Sequence, residues 1–171
     1  MKLSHMRVKT KLLLGFASLA GVVLIVSALS VHSLGRSSDR FTDYLEGSGL
    51  REQLATDIRG AATRRAIAAR NLVLVTRPQD TAIERMAVTK AHEDMGKAID
   101  ALKATVAKAA DVSPRERALF GEIEKVEAQY GPVALAIVKM ALENQRSEAV
   151  EKMNAECRPL LAALLKATED F

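Results

Sequence analysis

The chain has 171 residues, with 25 basic and 21 acidic groups, a net charge of +4, one cysteine and no tryptophan. Lys2, Arg7, Lys9 and Lys11 stand in the first eleven residues with no acid among them, which leaves 21 basic against 21 acidic groups in the rest. The positive charge therefore marks a flank and gives no argument for nucleic acid, the lone Cys157 excludes an intrachain disulfide framework, and the 4% aromatic content suits thin, alanine-rich helices better than sheet.

From Leu12 to Gly35 there is no Lys, Arg, Asp or Glu. The apolar part, Leu12 to Val31, has the length of about 20 residues that a bilayer-crossing helix needs. A cleaved signal peptide would share the basic start, and Ala28-Leu29-Ser30 offers it a small-x-small site. Its apolar region should span only about 7–15 residues, however. The reading is a retained anchor: a cytoplasmic basic flank over 1–11, a transmembrane helix over 12–33, and an exported helical domain over 34–171. The excess of positive charge before the span keeps the N-terminus in the cytoplasm.

Beyond the span the pattern predicts an all-α domain, with the transmembrane helix continuing into an antiparallel up-down-up-down four-helix bundle. The first bundle helix is expected from about Ser37 to Thr76, ending at Arg77-Pro78-Gln79-Asp80, because proline disfavours helix in the residue before it. The second runs from about Asp80 to Ala109, with Met95, Ile99, Leu102 and Val106 as its apolar seam. Ser113, Pro114 and Glu116 then spell a capping box with proline at the first helical position. The third helix carries Leu119, Ile123, Val126, Tyr130, Val133, Ile137 and Met140 in a four-three repeat that passes through Gly131-Pro132. A turn at Asn144 to Ser147 leads to the fourth, with Val150, Met153, Cys157, Leu160, Leu164, Ala167 and Phe171 on its seam and a bend at Pro159. The pattern is still running at Phe171, which suggests a piece of something longer.

No catalytic constellation emerges. His5, His32 and His92 have no partners at metal-ligand spacing, and there is no Gly-rich phosphate loop, GxSxG elbow or CxxC pair. The chain is not expected to be an enzyme or to carry a metal or cofactor, and Cys157 reads as a small buried hydrophobe.

Chemistry concentrates instead in arginines. At about 100° per residue, Arg59, Thr63 and Arg70 fall on one stripe of the first helix, while Arg64 and Arg65 lie on two other faces. Arg65 falls into the apolar seam of Leu54, Ile58, Ala61, Ala68, Leu72 and Val75, where it needs a counter-charge. Asp57 is the one acid on this helix between Glu52 and Asp80. Counting residues from the two turns at 77–80 and 144–147 places Arg65, Tyr130 and Arg158 at one level. Arginine pairs with carboxylate in a two-pronged fashion, and several arginines could hold a dianion. Arg59, Thr63, Arg64, Arg65, Arg70, Tyr130 and Arg158 are the candidate ligand residues, with Thr63 as a hydroxyl donor. His92, at a similar depth on the second helix, is read as a surface histidine.

Three stretches carry a family resemblance: Met6-Arg7-Val8-Lys9-Thr10-Lys11-Leu12-Leu13-Leu14-Gly15-Phe16; Ala69-Arg70-Asn71-Leu72-Val73-Leu74 before Arg77-Pro78; and Ser147-Glu148-Ala149-Val150 leading to Glu156-Cys157-Arg158-Pro159-Leu160. Together they resemble the N-terminal part of methyl-accepting chemotaxis proteins with a four-helix-bundle sensor domain, over essentially the whole chain. The resemblance implies a chemoreceptor of the bacterial inner membrane, its sensor domain a periplasmic homodimer. Ligand would bind between subunits near the distal end of helices one and four, and a helix shift would pass the signal across the membrane. Aspartate receptors of this family place three arginines on helix one, spaced five then four. Arg65 and Arg70 match the five, but the next position is Leu74, and Arg158 is the candidate replacement from helix four. The implied ligand is a small anionic organic acid: a dicarboxylate or tricarboxylate first, an amino acid second. The alternatives are the same module on a histidine kinase or cyclase, and a membrane-anchored bundle that binds nothing.

Overall fold

The computed structural model describes residues 8–171, so Lys2 and Arg7 of the basic flank lie outside the described residues. Helices α1 (Val8–Glu46), α2 (Ser48–Leu74), α3 (Pro78–Lys108), α4 (Pro114–Leu142) and α5 (Arg146–Lys152) are followed by a π-helical turn (Met153–Cys157) and α6 (Arg158–Asp170). No strand occurs among the described residues. The chain divides at Gly47 into two units.

The first unit is α1 alone. It contains an 18-residue window of mean hydropathy 2.5, none of it buried, and is long and apolar enough to cross a bilayer by length and composition. Leu12, Leu13, Phe16, Leu24 and Ile25 all stand exposed on it. The expectation that one helix would run unbroken from Ser37 to Thr76 is corrected here. Ser37 belongs to α1, and Gly47 leaves helical geometry with φ −99° and ψ −109°. Two glycines in three residues, Gly47-Ser48-Gly49, weaken helix by about 1 kcal/mol each relative to alanine, and the break falls on the first of them.

The second unit, Gly47–Phe171, is the bundle: α2, α3, α4 and the composite α5–π–α6. Short turns reverse the chain at 75–77, 109–113 and 143–145. Val75 leaves the α2 geometry for extended backbone, and Pro78 opens α3 at a position where its missing N–H costs nothing. The capping box expected at Ser113 is present in both directions. The Ser113 Oγ accepts from the Glu116 N–H at 3.1 Å, and the Ser113 N–H donates to Glu116 Oε2 at 2.8 Å. At 143–145, Asn144 takes φ 60°, a left-handed conformation asparagine tolerates. The adjacent Arg146 donates to the Val75 carbonyl at 2.9 Å, tying two turns together at one end of the bundle.

The core is built from Ile58, Met95, Leu102, Ile123, Tyr130, Ile137 and Leu164, with alanines letting the helices approach. α2 packs on α3, α4 and α6, and α4 on α6. The seams follow the sequence with two local changes. On α4, Ala134 is buried and Val133 only half-buried, two residues past Pro132, which lies inside a continuous helix. In the fourth rod, Ala149 goes inward and Val150 stays exposed. The cause is the π turn, which adds a residue and shifts the upstream face by one position. It ends two residues before Pro159, whose ring would clash with the carbonyl four residues back in a regular helix. The widened turn lets the Arg158 N–H reach the Met153 carbonyl, five residues back.

Candidate functional site: an arginine-flanked groove at the π turn

Two kinds of arginine site lie back to back on α2. The inner one centres on Arg65, fully buried in the bundle. Its Nη1 donates to Glu127 Oε1 at 2.7 Å and its Nη2 to Glu127 Oε2 at 2.6 Å, a two-pronged pair across to α4. The Nη1 also lies 3.1 Å from His92 Nδ1 on α3. Because a guanidinium only donates, that ring nitrogen is the acceptor, which sets the tautomer. The guanidinium carbon sits 4.4 Å from the Tyr130 ring centroid, a cation–π stack. Burial works against the charge on Arg65, but the Glu127 bonds outweigh it and hold the group above its ordinary range. Gly131 leaves the pair room: a Cβ there would lie 3.0 Å from Glu127 Oε1, and the carboxylate would have to shift by a few tenths of an ångström.

Tyr130 is fully buried as well, and its hydroxyl donates to the Ala62 carbonyl at 3.4 Å. Burial pushes its pKa up. Burial also pushes up the Cys157 thiol, while the neighbouring Tyr130 hydroxyl draws it partly back. Cys157 thus joins the inner cluster to the second site.

That second site is a groove of about 440 Å³ between α2 and the π turn with α6. Its polar lining is Thr63, Arg70, Asn154 and Arg158; Ala66, Ile67, Met153, Cys157 and Leu161 make the rest. The volume falls within the usual range for small-ligand pockets, about 300–1,000 Å³. Neither Arg70 nor Arg158 has an ion-pair partner among the described residues. Arg158 has one long contact, Nη1 to Asn154 Oδ1 at 3.5 Å. The nearest acid in sequence, Glu156, is occupied by Lys152 at 2.8 Å.

Of the seven residues selected from sequence, the structure brings three into this groove: Thr63, Arg70 and Arg158. Arg65 and Tyr130 share their level but point into the core. Arg64 lies on the α3 side, 3.6 Å from Asp94. Arg59 is exposed and does not line the groove. Thr63 Oγ1 donates to the Arg59 carbonyl at 2.9 Å, so its proton is spent within the helix and it offers the groove an acceptor. The counter-charge for Arg65 is Glu127, from another helix, and Asp57 bonds Gln53 instead. His92 is half-buried against Arg65, which corrects its reading as a surface histidine. Asn154 was missed, although it stands one turn before Arg158 on the same rod.

The architecture is thus an apolar N-terminal helix and, as a separate unit, a helical bundle with a groove between two of its rods. The chain belongs to the family described as a four helix bundle sensory module for signal transduction, whose match covers residues 5–171. This is the sensor type of methyl-accepting chemotaxis receptors. With α1, membership indicates a membrane-anchored receptor. No curated protein and no solved structure matches the chain.

Proposed function

We propose that the chain is the ligand-sensing portion of a transmembrane chemoreceptor, with residues 1–11 cytoplasmic, a span within α1, and the bundle in the periplasm as a homodimer. The bundle binds a small anionic organic acid in the groove of Arg70, Arg158, Thr63 and Asn154. The observation that carries this reading is the pair of groove arginines without acidic partners. Elsewhere in the bundle, inward or flanking arginines such as Arg51, Arg64 and Arg65 have found a carboxylate.

The π turn gives the groove a route to signalling. Its geometry is a local departure from α-helix, and such turns recur at functional sites. An acid held between α2 and α6 would favour one relative setting of the two helices over another, and differential affinity is all that coupling needs. A second copy of the chain beside α2 would add contacts to the same acid.

The reading is tested by a thermal-shift screen of carboxylates on the full chain in detergent, followed by calorimetry. An acid that stabilises the parent should bind Arg70→Ala and Arg158→Ala about ten- to a hundred-fold more weakly. Each charge-assisted hydrogen bond contributes about 1.5–3 kcal/mol, and about 1.4 kcal/mol is one decade. Undiminished binding by both folded variants would place the site elsewhere.

A further inference from the structure

Resting on that reading, we infer that the groove selects organic acids that carry an apolar body and no ammonium group, and so rejects amino acids. Two features of the lining lead there. First, its charge is one-sided. Arg70 and Arg158 supply cations, and no acidic side chain lines the groove among the described residues. An amino acid brings a carboxylate for the arginines and an ammonium two bonds from it, within the field of both cations. The groove's acceptors for that ammonium are neutral: Thr63 Oγ1, and the Asn154 oxygen that Arg158 already approaches. Both arginines would also repel it. With no carboxylate in the lining to pair with it, the ammonium adds repulsion and gains no charge-assisted bond, so it is a net penalty.

Second, the rest of the lining is apolar. Ala66, Ile67, Met153 and Leu161 line the groove within a turn or so of the arginines along the same rods. Ile67 is 46% exposed, an apolar surface a ligand can cover. Methionine adapts its shape to irregular partners, and Met153 opens the π turn itself. A hydrocarbon or ring laid on these apolar side chains gains from leaving water, whereas hydroxyl or carboxylate groups find no donors among them. Arg158 and Met153 come from opposite ends of the π turn, so one ligand would touch both ends of the irregular segment, head group and body together.

The test is calorimetry on the full chain in detergent with matched acids. Two pairs differ by the α-ammonium: 4-methylpentanoate against leucine, and 3-phenylpropanoate against phenylalanine. Malate serves as a polar diacid of similar size. The expected result is that each ammonium-free acid binds at least about tenfold tighter than its amino acid and tighter than malate, that Arg158→Ala loses this binding, and that Leu161→Asn weakens 4-methylpentanoate at least about threefold while circular dichroism stays unchanged. Leucine or phenylalanine binding as well as its partner acid would overturn the exclusion of ammonium. Malate binding tightest would overturn the apolar body. Either of those results leaves the groove as an anion site. Acid binding that Arg70→Ala and Arg158→Ala do not reduce, or no acid binding at all, overturns the anion site and this selectivity with it.

Discussion

Arg65 and Arg70 stand five residues apart on one helix, yet they occupy opposite worlds. Arg65 faces the core and is held by Glu127, His92 and Tyr130 from two other helices. Arg70 faces outward and lines an open groove with Arg158. The difference teaches that an arginine cluster in a helical bundle is two populations. The buried Arg65 is spent on a carboxylate that joins two helices, whereas Arg70 and Arg158 line the groove with no acidic partner among the described residues.

The largest effect expected from this contrast is at Arg65. Its removal leaves Glu127 without its cation, and breaking one side of a buried pair costs about 3–5 kcal/mol. Arg65→Ala should therefore lower the denaturant midpoint severely, Glu127→Ala likewise, and the double variant should recover part of the loss. Additive losses in a double-mutant cycle would break the inner half of the comparison.

Arg51 sharpens it. This second buried arginine binds Asp111 in the α3–α4 turn at 2.8 Å and approaches Glu116 at 3.5 Å. The Arg51 bond holds the Asp111 carboxyl below its usual range, and the Ser113 backbone bond does the same for Glu116. Both groups have folded-state pKa values below their unfolded ones, so their stabilisation is complete above about pH 5 and is lost as pH falls through about 4 and below. Acid denaturation followed by circular dichroism should show Arg51→Met losing part of this dependence. An unaltered acid transition would mean the clamp is idle.

The smallest effect belongs to Arg64. It is 59% exposed and pairs with Asp94 at 3.6 Å. Exposed pairs of this kind contribute about 0–1 kcal/mol, so Arg64→Ala should shift the denaturation midpoint barely and ligand binding not at all.

Much of this was legible beforehand. The proline and capping signals at Pro78 and Ser113–Glu116 act locally, so the turns could be placed, and counting from the turns brought Arg65, Tyr130 and Arg158 to one level. The demand for a counter-charge at Arg65 was also readable, because it followed from the seam. Its source was not: Glu127 lies 62 residues away, and pairing across a bundle depends on how helices rotate against each other. That same rotation decides that Tyr130 turns inward while Arg158 turns out. The π turn was hidden for a different reason. Pro159 announced a disturbance but not whether the helix would bend or take an extra residue, and only the latter moves Ala149 inward and opens the wall beside Arg158. The break at Gly47 was not read, because the helical pattern on both sides of Gly47-Ser48-Gly49 suggested one continuous helix.

The central claim, that the arginines holding the fold and those holding the ligand are separate, is tested most directly by one denaturation series. The parent and Arg158→Ala would be unfolded with and without the best acid from the screen at about 100 times its Kd. The parent should gain about 2.7 kcal/mol from the acid. Arg158→Ala should match the parent without the acid, within about 0.5 kcal/mol, and lose most of the gain with it. A variant already destabilised without acid, or one that gains as much as the parent, would contradict the account.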